Sequence, residues 1–255
     1  MAAIASGCIT VWEGGSLWVF DVPVPAGGTP RTDTHGHHAL QLTYALDGRF
    51  SIELPDGSAL HEPAVVVAPD ALHAFSAQGT VALLFIEPES PAGRVILEGI
   101  VPATGAVAVS PMPAPTAGLI RRAFAARPPD RAGLRAAGRQ LVASFESREA
   151  TPPDPRVSRM IAWAESRLVE RVDLAGAAKA AALSPSRASH LFVEHTGLAF
   201  RTWLLWRRAM QAVERYAAGD SLTDAAHAAG FSDSAHLSRT FRRLFGLPAT
   251  VLELR

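Results

Sequence analysis

The sequence predicts a two-domain α+β chain in which an antiparallel β-barrel, or jelly roll, precedes an all-α domain. Three observations predict it. Short apolar runs separated by turn-forming residues fill positions 9–90, a proline-rich break interrupts the chain at 150–155, and helical spacing with no evident strand follows to the end. With 255 residues, 48% of them hydrophobic and 19% charged, each half can bury a core, and extensive disorder is excluded.

The strand signals come first. Ile9–Trp12, Leu17–Val22, Leu40–Ala45, Arg49–Leu54, Ala64–Ala68 and Val81–Ile86 are separated by Gly14-Gly15, Gly27-Gly28, Asp47-Gly48, Pro55-Asp56-Gly57 and Pro69-Asp70. Short strands at this spacing fit a barrel or jelly roll. Val101–Pro115, rich in Pro, Ala and Gly, reads as a connection, and Leu119–Ala126 as a short helix. Gly133–Arg148 is a stronger helix because Leu134, Ala137, Leu141 and Phe145 share one face, which offers the expected dimer stripe. The run Ala150-Thr151-Pro152-Pro153-Asp154-Pro155 is stiff and non-helical and marks a boundary. The expected division is a β domain over 1–100, a connecting and helical segment over 101–155, and a helical domain over 156–255.

Charge separates the halves. The chain is neutral overall, but residues 1–155 carry 15 acidic and 10 basic side chains, whereas residues 156–255 carry 14 basic and 9 acidic ones. A basic half points to a polyanionic partner. All but one of the 24 basic residues are arginines, which make forked contacts with phosphate and guanine better than lysine does. No apolar run approaches the roughly 18–20 residues that span a bilayer, so an integral membrane protein is excluded. Met1–Thr10 lacks the basic start of a signal peptide, and the expected location is the cytoplasm. One cysteine, Cys8, can make neither an internal disulfide nor a thiolate zinc site.

The helical half repeats one plan. Leu174–Ala181 meets the turn Ala182-Leu183-Ser184, and a helix starts at Pro185, with Ser184 as its N-cap and Pro185 where a missing N–H costs nothing. Leu222–Ala229 ends at Gly230-Phe231, and Ser232 is expected to cap a helix running to Phe245, stopped by Gly246 and Pro248. Helix, tight turn, helix is the helix-turn-helix plan, and its second helix enters the major groove by its N-terminal residues. Ser186, Ser189 and His190 therefore take the reading positions in the first unit, with Arg187 beside them. Ala235, Ser238 and Arg239 take those positions in the second, with His236, Arg242 and Arg243 on the same face. Taken alone, the three arginines also fit a solvated surface; their place opposite the apolar stripe Leu237, Phe241, Leu244, Phe245 favours DNA. Phe200–Ala218 reads as one spacer helix about 28 Å long at roughly 1.5 Å per residue, near the ~34 Å between successive major-groove faces. His195 and His227 are expected toward buried helix faces.

These residues resemble a known family. Ser184-Pro185-Ser186-Arg187, Leu191-Phe192, Gly197-Leu198-Ala199-Phe200, Gly230 through Phe241 and Phe245-Gly246-Leu247-Pro248 look like the AraC/XylS family of transcription regulators, over about the last 90 residues. The resemblance implies a tandem helix-turn-helix domain on duplex promoter DNA, a separate N-terminal sensory or dimerising domain, a homodimer and RNA polymerase as a partner. The first unit departs from the pattern: Ala177, Ala181 and Ala188 replace usual leucines, Ala182 the turn glycine and His190 a common arginine.

The chemistry of the N-terminal half lies in Thr34-His35-Gly36-His37-His38-Ala39-Leu40-Gln41 and Asp47-Gly48. On a strand His35, His37 and Gln41 share one face and would point into one barrel. The string resembles the first cupin motif, and Val65–Phe75 resembles the second without its usual glycine; by that resemblance His73 joins the set. Three imidazoles and an amide oxygen could hold a divalent cation such as zinc, nickel, iron or copper. They equally suit a polar pocket for a small organic effector. The resemblance implies a cupin-like sensor ahead of the helix-turn-helix domain. The competing class is a metal-dependent cupin enzyme, an oxygenase or isomerase built on His35, His37, Gln41 and His73.

Overall fold

The computed structural model describes residues 4–24, 28–99, 105–145 and 152–255. By compactness the chain divides into a unit containing residues up to Ala150 together with Ser238–Arg255, and a second unit, Thr151–Leu237.

The first unit is built on one eight-stranded sheet. Strands β1 (Ala5–Trp12), β2 (Gly15–Val22), β3 (Leu40–Glu53), β4 (Ala59–Leu60), β5 (Ala64–Val67), β6 (Ala74–Ile86), β7 (Ala106–Ala108) and β8 (Leu252–Leu254) take the order β7-β5-β3-β6-β2-β1-β8, with β4 paired to β3. The α+β class is as expected, but the sheet is open rather than a closed barrel, with β7 and β8 at its edges. Among the described residues every strand pairing is antiparallel except β1 with β8, where Ala5 faces Leu252 and Gly7 faces Leu254. A strand beyond residue 156 was not expected. Three residues are too few to show an alternation, and β8 is set by the free edge of β1 rather than by its own sequence.

Two expected strands, Leu40–Ala45 and Arg49–Leu54, are one bulged strand, and the register shifts between Ala45 and Asp47. Asp47-Gly48 bends the strand instead of turning the chain. Gly48 sits opposite Gly79 on β6, and a Cβ on Gly48 would lie 2.1 Å from the Gln78 carbonyl oxygen. Two facing glycines thus let both strands bend together without a side chain in the crease.

Both faces of the sheet are covered, so its strands read as nearly continuous apolar runs. Cys8, Leu17, Val19, Leu42, Leu84 and Ile86 face one core, closed by Ile120 of α2 (Ala114–Ala125) and by Leu134 and Leu141 of α3 (Arg131–Ala143). The expected dimer stripe on α3 is therefore core: Leu134, Ala137 and Leu141 are buried against the sheet. An amphipathic pattern shows that a face is buried and not against what. A further helix, α1 (Pro91–Gly99), follows β6 where no helix was read, and buries Val95 and Ile96. Trp18, Phe20, Val81, Leu83 and Phe85, of the opposite parity, line a cavity on the other face.

The second unit is helical. It holds α4 (Pro155–Glu165), α5 (Leu174–Ala180), α6 (Pro185–Thr196), α7 (Phe200–Ala217), α8 (Leu222–Ala228) and the first turn of α9 (Ser234–Phe245). Asp154 caps α4, accepting from Arg156 N–H at 2.8 Å. Met160, Ala164, Ala177, Ala178, Ala188, Leu191, Phe192 and Trp203 form its core. Close approach in this unit is visible at Gly176, where a Cβ would meet the Trp163 ring at 2.3 Å. His195 and His227 are exposed, contrary to expectation. His195 Nδ1 lies 3.0 Å from the Leu191 carbonyl of its own helix, which satisfies the ring without burial.

Candidate DNA-reading helices and a histidine-lined cavity

The two helix-turn-helix turns are built alike, bond for bond. In the first, Leu183 N–H donates to Ala178 O at 2.9 Å and Ala182 N–H to Lys179 O at 3.1 Å. In the second, Phe231 N–H donates to Ala226 O at 2.9 Å and Gly230 N–H to His227 O at 3.1 Å. Both are Schellman closures, whose pivot residue takes a left-handed conformation. Gly230 has φ +77° and Ala182 has φ +56°, so the alanine holds a backbone state that favours glycine.

Caps then start the second helix of each unit. Ser184 Oγ accepts from Arg187 N–H at 3.3 Å, with Pro185 at the first helical position. In α9 the cap is Asp233, not Ser232. Asp233 Oδ1 accepts from His236 N–H at 2.6 Å, and the Ser232 hydroxyl donates to the same carboxylate at 2.9 Å. The second turn is therefore one residue longer than the first. Ser186, Arg187 and His190 are exposed and Ser189 is half-buried, on the face opposite buried Ala188, Leu191 and Phe192. On α9, Ala235, Arg239, Arg242 and Arg243 are exposed and His236 and Ser238 half-buried, opposite Leu237, Phe241 and Phe245. His236 is held by the edge-on Phe231 ring, 5.1 Å between centroids. Arg242 is engaged: its Nε and Nη2 donate to Asp33 Oδ2 at 3.0 and 2.8 Å.

The structure brings His35, His37 and His73 together. All three are buried, and one ring nitrogen of each lies within 4.8 Å of the others. Strand parity is not the cause, because β3 begins only at Leu40. His35 and His73 instead form an isolated antiparallel bridge and exchange two backbone hydrogen bonds of 2.9 Å.

Each ring is held by a backbone carbonyl. His35 Nδ1 lies 2.9 Å from Asp33 O, His37 Nδ1 2.9 Å from Ala39 O, and His73 Nδ1 2.9 Å from Ala71 O. A carbonyl only accepts, so Nδ1 carries the proton in each ring and Nε2 is left bare when the ring is neutral. Burial favours neutrality. It lowers the pKa of His35, takes that of His37 well below the ordinary range, and takes that of His73 down to about 4. His73 Nε2 is buried with no hydrogen-bond partner among the described residues. Gln41 faces the cluster as well, with its amide oxygen 3.0 Å from His37 Nε2 and its amide nitrogen 3.0 Å from Thr43 Oγ1. Two acceptors at that distance suit a cation shared between them; otherwise the amide must turn over and donate. The donor set thus fits a divalent ion, with carbonyls fixing the tautomers as they do around metal-binding histidines.

His35 and Gln41 also border the cavity, which encloses about 730 Å³ of empty space, part of it open to solvent. Its wall is largely apolar, formed by Trp18, Phe20, Leu83, Phe85, Phe245 and Leu247, with Arg31 and Thr32 near His35. Phe245 belongs to the last turn of α9 and packs against Trp18, with ring centroids 4.8 Å apart and planes tilted by 41°. The sequence gives no sign of this wall, since Phe241 and Phe245 read equally well as the inner stripe of a helix-turn-helix.

Comparison with known proteins bears on these elements. Residues 177–253 match the model of a helix-turn-helix domain. The HTH-type transcriptional activator RhaS of Escherichia fergusonii is 37% identical over 95 residues, 36% of this chain and 34% of RhaS. RhaS of Pectobacterium atrosepticum is 36% identical over 91 residues, 35% of this chain and 32% of the relative. The chain thus spans about a third of the length of these curated relatives. Among solved structures, an apo ToxT variant from Vibrio cholerae aligns over 94% of this chain and 96% of its own, with TM-score 0.57 at 12% identity. Wild-type ToxT with a bound unsaturated fatty acid aligns over 94% of both chains, with TM-score 0.55 at 11% identity. ToxT therefore shares the fold across nearly the whole chain, a sheet domain followed by a helical one. Residues 177–253 thus form a helix-turn-helix domain that holds both Schellman-closed turns and is similar in sequence to the matching third of the RhaS transcriptional activators.

Proposed function

We propose that the chain binds specific duplex promoter DNA through Ser186, Ser189 and His190 of α6 and Ala235, Ser238 and Arg239 of α9. Arg187, His236, Arg242 and Arg243 serve the flanking phosphates. The observation that carries this reading is the repeated Schellman turn and side-chain cap, which present the N-terminal residues of two helices outward. On this reading residues 156–255 act as the DNA-binding domain, residues 1–100 as the sensor and residues 101–155 as their connection, a division by activity rather than by compactness. Promoter DNA, RNA polymerase and a second copy of the chain are its partners, in the cytoplasm. The test is a comparison of Arg239→Ala with Arg243→Ala on a selected site and on scrambled duplex. Loss of a forked guanine contact should cost about 1–3 kcal/mol on the selected site only. The Arg243 variant should weaken both duplexes alike, with a shallower salt dependence. Equal losses on both duplexes for both variants would refute the assignment.

For the sensor half we propose an effector in the cavity of the sheet unit. An apolar wall with a few polar groups at one end suits an apolar molecule with one polar head; a bound fatty acid in ToxT is in keeping with this. A divalent ion at His35, His37 and His73, with Gln41 beside it, is favoured by the three locked tautomers and the orphaned His73 Nε2. When bound, it would offer a Lewis-acidic position to such a head group. The enzyme alternative draws on the same histidines, and the matched helix-turn-helix domain favours the regulator.

A further inference from the structure

Asp33 stands between the histidine cluster and α9 and touches both. Its carbonyl oxygen fixes His35 Nδ1 at 2.9 Å, its N–H donates to Gly246 O at 2.8 Å, and its carboxylate takes both Arg242 contacts. Gly246 directly follows α9 and has no room for a side chain: a Cβ there would lie 2.4 Å from Asp33 O and 2.5 Å from His35 Nδ1. Phe241 stacks on Trp18 at 6.3 Å and Phe245 packs against it, tilted, at 4.8 Å, which seats this part of α9 beside Asp33. The residue with its charge turned to Asp33 is one that the DNA reading assigns to phosphate.

We propose that Asp33 is an autoinhibitory latch that withholds Arg242 from DNA in this conformation. The inference rests on the DNA-binding reading of α9 and adds its regulation. A carboxylate and a phosphate compete for the same guanidinium, and an arginine holding one is not counted among the contacts to the other. Asp33 is also the residue that orients His35, so the latch lies where a change at the cluster would be felt by α9. Between exposed partners the pair is weak, and its release therefore lies within reach of a small shift in that backbone.

The test uses the full chain and a random-sequence duplex titrated with salt. Asp33→Asn keeps the backbone bonds to Gly246 and His35 and removes the charge. It should bind about three- to fivefold tighter at low salt, and the slope of log affinity on log salt should steepen by about 0.9, one added phosphate contact. Between 50 and 200 mM salt that slope is worth about 3.5-fold. Adding Arg242→Gln to Asp33→Asn should return both the affinity and the salt slope to those of the wild type. Asp33→Ser should repeat the gain, and circular dichroism establishes that each variant is folded. Asp56→Asn, an equal charge change at an exposed turn, should do nothing. An unchanged slope in Asp33→Asn, a gain that survives Arg242→Gln, or the same gain in Asp56→Asn each overturns the latch. A wild-type chain that binds no duplex at any salt removes the DNA reading and the latch with it.

Discussion

Ala182 should be the position where a single substitution stabilises the helical unit. It pivots the first helix-turn-helix at φ +56°, whereas Gly230 pivots the second at φ +77°. A left-handed backbone costs an L-residue roughly 1–2 kcal/mol, and a new glycine in the unfolded chain gives back about 0.4–1 kcal/mol. Ala182→Gly should then stabilise α5 and α6 by roughly 0.5–1 kcal/mol. Hydrogen exchange read on peptides covering 174–196 would show it as about two- to fivefold slower exchange. Gly230→Ala is the reciprocal experiment and should have the opposite sign. Its Cβ would also meet Arg208 Nε and Leu168 O at 3.2 Å, so the loss should exceed the gain at Ala182. The reasoning fails if Ala182→Gly is neutral or destabilising while Gly230→Ala is tolerated.

Two further outcomes follow from the cluster. In chelator-treated protein, His73 is neutral in the folded state to about pH 4, while in the unfolded chain it protonates near 6.5. Between these values the unfolded state binds the extra proton, so stability is complete above about pH 6.5 and falls as pH drops toward 4, by roughly 3 kcal/mol for this group; urea midpoints that stay level from pH 7 to pH 4.5 would contradict it. Replacing His35 and His73 together with alanine should abolish zinc uptake, measured by elemental analysis, while duplex binding persists, and zinc retained at wild-type stoichiometry would remove these histidines from the site.

The helical half was the more legible because its signals are local. A cap, a proline at the first helical position and a glycine at the pivot each act within one turn of chain. Ser184, Pro185 and Gly230 accordingly stand where their chemistry predicts, and only the cap of α9 moved by one residue, to a carboxylate that accepts more strongly than Ser232. The sheet was less legible because its decisive pairings are distant in sequence. The crease at Gly48 and Gly79 depends on two glycines that meet only after pairing, so each looked like a turn or went unread. The three histidines do converge, yet through the bridge between His35 and His73 rather than through parity along one strand. The stripe Leu134, Ala137, Leu141 announced a buried face, and a sheet took the place a second chain was expected to take.

Cys8 is the chain's one thiol, and it lies fully buried in β1 beneath α2 and α3, with burial pushing its pKa up. A chain with one thiol so placed carries its own chemical clock. An alkylating reagent can reach the sulfur only when β1 parts from the layer that covers it. Its labelling rate therefore counts openings of the sheet unit and is blind to any fraying confined to the helical unit. Measured with and without a ligand in the cavity, that rate reads how firmly occupancy clamps the sheet, with no dye attached and no residue changed.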